Sequence, residues 1–236
     1  MTPPPVPPDT PDDRPVADEL TPGGEPASPD GAETDLRAAD RLIFFSDAVV
    51  AIAITLLALD LPVPTGGTVP EFWRSVQHND GHYAAFLISF VVIASAWSDH
   101  HDLFRYVRRT DSRLRVLDSV WLATIILNPF ATKLLLVSGQ TLDTSALRFG
   151  FYALLQLLES AVVYAMLRHL ISHRLADIPP QVAKKMASDS RDLMLGFALS
   201  IPFFFVTNFA WVLWFITPQL AGRLRQRWTR NRPSAT

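Results

Sequence analysis

Long apolar runs separated by charged segments organise this chain. Residues 42–61, 83–98 with its continuation, 116–138 and 149–167 each read as one run. A helix needs about 20 such residues to cross the hydrocarbon core of a bilayer. A fifth run, 193–222, holds 30 uncharged residues between Asp192 and Arg223. That is long for one crossing and short for two. Backbone polar groups inside lipid must satisfy one another within a segment, so the runs predict helices and not open strands.

Charge resolves the fifth run. Arg105, Arg108, Arg109, Arg113 and Arg115 follow the second run; Arg168, Arg174, Lys184, Lys185 and Arg191 follow the fourth. Arg223, Arg225, Arg227, Arg230 and Arg232 close the chain, whereas 63–82 contains only Arg74 and 139–147 no basic residue. Lys and Arg mark cytoplasmic loops. Alternation therefore predicts cytoplasmic N- and C-termini in a cell membrane and requires 193–222 to cross twice. The expected fold is an all-α membrane protein of six transmembrane helices, helices 5 and 6 forming a short hairpin near Pro202 to Asn208. The segment 63–82 reads as a polar loop and 172–190 as a cytoplasmic connector.

Composition divides the chain further. Residues 1–36 carry nine acidic side chains, one basic side chain and ten of the 19 prolines. Such a segment cannot bury enough apolar surface to offset the entropy of ordering, so it reads as a disordered acidic tail. It lacks the basic start and apolar core of a signal peptide. The expected organisation is tail 1–36, membrane domain 37–222 and basic tail 223–236, the last resting with Trp228 on anionic lipid and not on nucleic acid. The chain contains no cysteine, which excludes disulfides and thiolate chemistry. No Gly-x-Ser-x-Gly or His-Glu-x-x-His motif is present, and no nucleophile stands at a usable spacing from a His–Asp pair. An enzyme is not expected.

Four membrane-embedded positions invite chemistry. On a helical projection Ile52, Thr55, Leu56 and Leu59 share one stripe, flanked by a small-residue seam at Ala51 and Ala58. The stripe fits ordinary lipid-facing or packing surface. Before it stand Arg41, Phe45, Ser46 and Asp47, and an intramembrane carboxylate calls for a partner. With Arg41 opening the helix, Asp47 fits a capping acid near the helix N-terminus, ion-paired within the bundle. The run Asp99-His100-His101-Asp102 holds ligand types, but successive residues point around a helix in different directions, so a metal site is not expected. Glu159 lies near the middle of the fourth run, either as a proton carrier or hydrogen-bonded to a neighbouring helix. Asp60 and Lys133 belong at the opposite membrane surface: Asp60 as a lure for cations or a solvated helix end, Lys133 snorkelling outward.

"RLIFFSD", residues 41–47, matches Arg-x-x-x-Phe-Ser-Asp, and the chain thereby resembles the transmembrane protein 175 family, the lysosomal potassium channel and its prokaryotic relatives. "AWSDHHDLF" is similar to that family's Trp-x-x-His-His-x-x-Phe stretch. "NPFAT" resembles its Pro-Phe-Pro-Thr segment, with Ala131 where a second proline is usual. The resemblance spans about 41–222. It implies a passive, potassium-permeable cation channel without a cofactor, potassium being only the permeant ion. It also implies a homotetramer in which the first helix of each subunit lines a central pore. Ile52 then corresponds to the principal hydrophobic constriction, Leu56 and Leu59 to further apolar rings, and Thr55 to a ring of hydroxyls. Arg41, Phe45, Ser46, Asp47, Trp97, His100 and His101 form the supporting network. The alternative from the residues alone is a proton- or cation-coupled transporter using Glu159 and Asp47.

Overall fold

A computed structural model describes residues 29–137, 142–205, 211–214, 216–220 and 222, with side chains from Arg37 onward. Among the described residues the named helices are, in order, α1 (Pro29–Leu59), α2 (Val69–His78), α3 (Asp80–Phe104), α4 (Ser112–Leu136), α5 (Leu142–Ser172) and α6 (Pro180–Phe203). Four are long and apolar enough to cross a membrane: α1 from Arg37, α3, α4 and α5.

The bundle is layered around α4 and α5. Half of the apolar window of α5 is buried within the protomer, against 22% for α1. Trp121, Ile125, Met166, Leu167 and Leu170 form the centre with Ile93, Leu103 and Leu114. A second cluster joins α5 to α6, where the Tyr152 and Phe149 rings stack on Trp214 at 5.2 and 5.6 Å. Pro129 inside α4 removes one amide from the helical ladder. Side chains bond to backbone carbonyls on either side of that turn: Asn128 Nδ2 donates to the Thr124 carbonyl at 3.2 Å and Thr132 Oγ1 to the Asn128 carbonyl at 2.9 Å.

Two basic loops are stapled together on one side of the bundle. The amides of Arg108 and Arg109 donate to the Leu175 carbonyl at 2.9 and 3.0 Å, and the Asp177 amide to the Tyr106 carbonyl at 2.9 Å. Asp111 caps α4, accepting from the Leu114 amide at 2.7 Å, while its other oxygen lies 2.7 Å from His169 Nε2. Burial by itself would raise the Asp111 carboxyl. The Leu114 amide, the His169 hydrogen bond and the neighbouring His169 and His173 rings outweigh it and hold the carboxyl below its ordinary value.

Three helix boundaries depart from the sequence pattern. The first helix begins at Pro29, ahead of Arg41, so Asp47 lies deep within α1 and gains nothing from the helix start. The loop 63–82 contains α2, opened by a bend at Gly66 and by Glu71, which accepts from the Gly67 and Thr68 amides at 2.9 and 3.2 Å. The connector 172–190 contains the first turns of α6, because helix-favouring Ala and Lys continue the helix through its charged residues. At the expected hairpin, Phe204 ends α6, and 206–210 lie outside the described residues, as do residues 1–28 and 223–236.

Candidate permeation face and its polar support

The two faces of α1 differ sharply. Ser46, Val50, Ala53 and Leu57, spaced four, three and four residues apart, are buried against the rest of the bundle. This is the helical stripe that packs on α4 and α3. On the other side Ile52 is 60%, Leu56 47% and Leu59 73% exposed, and Thr55 is exposed with them. Ala51 and Ala58 are exposed too, so the small-residue seam is not used within the protomer. Thr55 Oγ1 donates to the Ala51 carbonyl of its own helix at 2.8 Å. That bond uses its proton and leaves oxygen lone pairs on the exposed side.

Two polar contacts clamp the packed face. In the first, Asp118 of α4 is fully buried, with Oδ1 2.7 Å from His100 Nε2 and Oδ2 3.1 Å from Ser46 Oγ. The Ser46 hydroxyl is also 2.9 Å from the Leu42 carbonyl. The His100 ring is sandwiched between Trp121, 3.9 Å away and nearly parallel, and Phe104 at 4.3 Å. One carboxylate thereby joins α1, α3 and α4. In the second contact Trp97 Nε1 donates to Asp47 Oδ1 at 2.7 Å, and His101 packs on the Trp97 ring at 5.4 Å. His101 Nδ1 lies 4.0 Å from the same carboxylate.

Not every motif residue joins this network. Arg41 is exposed and makes no ion pair with Asp47, which lies on a different face of the helix, six residues along. Phe45 is exposed beside it, and the two border a shallow depression with Thr110 and Arg115. His100 and His101 have separate partners, and Asp102 pairs loosely with Arg105 at 3.4 Å. Asp99 and Asp102 share one pocket with Lys185 and Asp189, whereas the two histidines turn to partners elsewhere, so the Asp-His-His-Asp run does not converge on one point. Asp60 forms an ion pair with Lys133 at 2.9 Å, so its charge is matched by a partner instead of standing free.

Asp118 is the supporting residue that sequence reasoning missed. Its signal was available: a carboxylate at the start of an apolar run needs a partner, and His100 occupies the end of the preceding one. Glu159 belongs to a different network. Asn128 Nδ2 donates to Glu159 Oε2 at 3.1 Å, and Gln156 Nε2 to Asn128 Oδ1 at 2.5 Å. Nearby, Thr132 Oγ1 lies 2.8 Å from Ser89 Oγ and Ser89 pairs with the Tyr152 hydroxyl at 3.1 Å. All these groups are buried. They knit α3, α4 and α5 together and do not involve α1.

Long apolar spans knitted by buried polar bonds define a multi-pass helical membrane protein. Residues 41–129 match the sequence profile described as endosomal/lysosomal potassium channel TMEM175. The chain is 34% identical over 130 residues to potassium channel B446_29190 of Streptomyces collinus, covering 55% of this chain and 63% of that one. It is 30% identical over 118 residues to the human endosomal/lysosomal proton channel TMEM175, covering 49% of this chain and 23% of the human one. The match thus spans less than two thirds of either relative. The crystal structure of a lysosomal potassium-selective channel TMEM175 homolog from Chamaesiphon minutus superposes with a TM-score of 0.63 at 26% identity, over 81% of this chain and 98% of that one. Over these residues the chain is similar to the TMEM175 family.

Proposed function

We propose that this protein is a potassium-permeable cation channel, formed by four copies whose α1 helices surround a common axis. The observation that carries this reading is the free stripe Ile52–Thr55–Leu56–Leu59, held on a helix whose opposite face is locked by Ser46, Asp47 and Asp118. An apolar stripe of this kind also suits lipid. The relatives, potassium channels in bacteria and a proton channel in animals, favour a pore.

Four Ile52 side chains around one axis would narrow the path and expel water, giving a dewetted constriction. Leu56 and Leu59 would add apolar rings beyond it, and the Thr55 oxygens would replace part of the ion's hydration. Potassium surrenders that hydration at lower cost than sodium, so a tight ring with hydroxyl support favours it. The permeant ion is potassium and no cofactor takes part. Ser46, Asp47, Trp97, His100 and His101 act at one remove, fixing the rotation of α1, with Arg41 and Phe45 at its approach.

The same reading has six crossings, with both termini cytoplasmic in a cell membrane. The contacts between α6 and the segment after it support the final pair. A Cβ on Gly196 would lie 3.2 Å from the Leu213 carbonyl, and the Phe197 and Trp214 rings are 5.4 Å apart. Both fit an antiparallel return. The coupled-transporter alternative draws on Glu159 and Asp47, which belong to separate networks. Purified protein in liposomes tests the proposal through flux under a potassium and then a sodium gradient. Faster potassium flux, with unitary current steps in planar bilayers, is expected. Flux that requires a proton or sodium gradient and gives no unitary steps would replace the channel with a carrier.

A further inference from the structure

The ten-residue helix α2 has no role in the account of α1, yet it is firmly built. Its apolar residues Val69, Phe72, Trp73 and Val76 recur at i, i+3, i+4 and i+7, the spacing of one helical face. Glu71, Arg74 and Gln77 occupy the remainder. None of its residues is buried, and Trp73 is 58% and Val69 71% exposed. Among the described helices α2 packs only against α3.

Both ends of α2 are tied to membrane spans. Asn79 alone separates it from α3, and the His82 and Tyr83 amides donate to the Asn79 carbonyl at 3.0 and 3.2 Å. On the other side, the Tyr83 hydroxyl donates to the Pro62 carbonyl at 2.8 Å, binding the segment after α1 to the start of α3. The Thr65 amide donates to Ser75 Oγ at 3.0 Å. Gly66 turns with a φ of 153°, and a Cβ there would sit 2.5 Å from the Phe72 amide nitrogen. These bonds hold α2 at the depth where α1 ends and α3 begins, on the side of the membrane away from the stapled basic loops.

We propose that α2 is an interfacial helix whose Val69–Phe72–Trp73–Val76 stripe seats in the boundary between lipid headgroups and acyl chains. Its depth is set by the two spans it joins. The Trp73 ring has the amphipathic character favoured at that level, Phe72 adds apolar surface beside it, and the polar residues face the water as in a helix lying in the membrane plane. Through Pro62 and Tyr83 the seated helix pins the adjoining end of α1 to the bilayer surface. The inference stands whichever ion passes along α1.

The absence of cysteine makes the test direct. Single cysteines replace residues 69, 71, 72, 73, 74, 76 and 77 in the full chain, each carrying a nitroxide label in phosphatidylcholine/phosphatidylglycerol liposomes. Accessibility to oxygen, which concentrates in lipid, is compared with accessibility to a water-soluble nickel chelate. The oxygen-to-nickel ratio is expected to be severalfold higher at 69, 72, 73 and 76 than at 71, 74 and 77. High nickel access along the stripe would overturn the proposal, and so would stripe labels immobilised and shielded from both reagents, the signature of docking on a neighbouring subunit. Should a labelled protein fail to reconstitute, Trp73→Phe gives the second reading. The emission it removes is expected to be quenched by lipids brominated near the headgroup and spared by lipids brominated at the chain terminus. Quenching by neither lipid would equally overturn the proposal.

Discussion

One helix carries two faces with opposite fates. Along Ser46, Val50, Ala53 and Leu57, α1 is buried and polar bonds fix it to α3 and α4. About 140° around the axis, Ile52, Thr55, Leu56 and Leu59 touch nothing that fixes them, apart from the Thr55 bond to its own helix. In water such a stripe would be an aggregation hazard. In a membrane it is compatible with lipid, and what distinguishes it is the rigidity of its support. On the proposed reading, packing and permeation occupy different sides of the same element. Substitutions on the two faces should fail in different ways.

The largest loss of stability belongs to the packed face. Asp118→Ala removes the shared partner of His100 and Ser46, leaving His100 Nε2 buried and unsatisfied while Ser46 keeps its bond to the Leu42 carbonyl. It should destabilise the protein by about 3 kcal/mol, read as a lowered unfolding midpoint in detergent. A loss below about 1 kcal/mol would mean that the three-helix junction does not hold α1. A smaller effect is expected at Asp111, where the basic loops meet. Its carboxyl is held below the ordinary value, so its charged form stabilises the fold. That contribution is fully present above the ordinary carboxylate range and is lost as pH falls through the lowered folded value. Asp111→Asn keeps a capping side chain and removes the titration. After solvent screening of this partly exposed pair, the variant should be less stable than wild type by no more than about 1 kcal/mol near neutral pH and converge with it in acid, as thermal melts across that range would show.

The free face should respond in transport and hardly at all in stability. Ile52→Asn should change the unfolding free energy by no more than about 0.5 kcal/mol, yet raise cation flux severalfold and weaken discrimination between potassium and sodium. Unchanged flux would remove Ile52 from the gate. Thr55→Ala is the mildest change, because the lost bond is to the helix's own backbone. Stability should stay within a few tenths of a kcal/mol, while the potassium-to-sodium flux ratio declines. An unaltered ratio would leave Thr55 as ordinary helix surface.

How far this contrast could be read without coordinates depended on the kind of signal. The apolar run of α1 and its stripe at helical spacing were open to view, because periodicity belongs to one segment. Asp118 was hidden by a different logic. Its partners lie 18 and 72 residues away, and only the crossing of α1, α3 and α4 brings them together. The same holds for Asn128 and Gln156 beside Glu159. α2 escaped because Gly66, Gly67 and Pro70 read as turn formers, and four apolar residues are too few to outweigh them. The start of α6 escaped because an apolar window ends where charges begin, whereas the backbone continues helical through them.

The central claim, that the free face of α1 looks into an aqueous conduit shared between copies, is tested most directly by Ile52→Cys. The variant would carry the chain's only thiol. In liposomes carrying a potassium gradient, a membrane-impermeant cationic thiol reagent should modify position 52 and block the flux, and a high concentration of permeant ion should slow the modification. A cysteine that reacts only with lipid-soluble reagents, with potassium flux unchanged by either, would turn this face toward acyl chains and contradict the account.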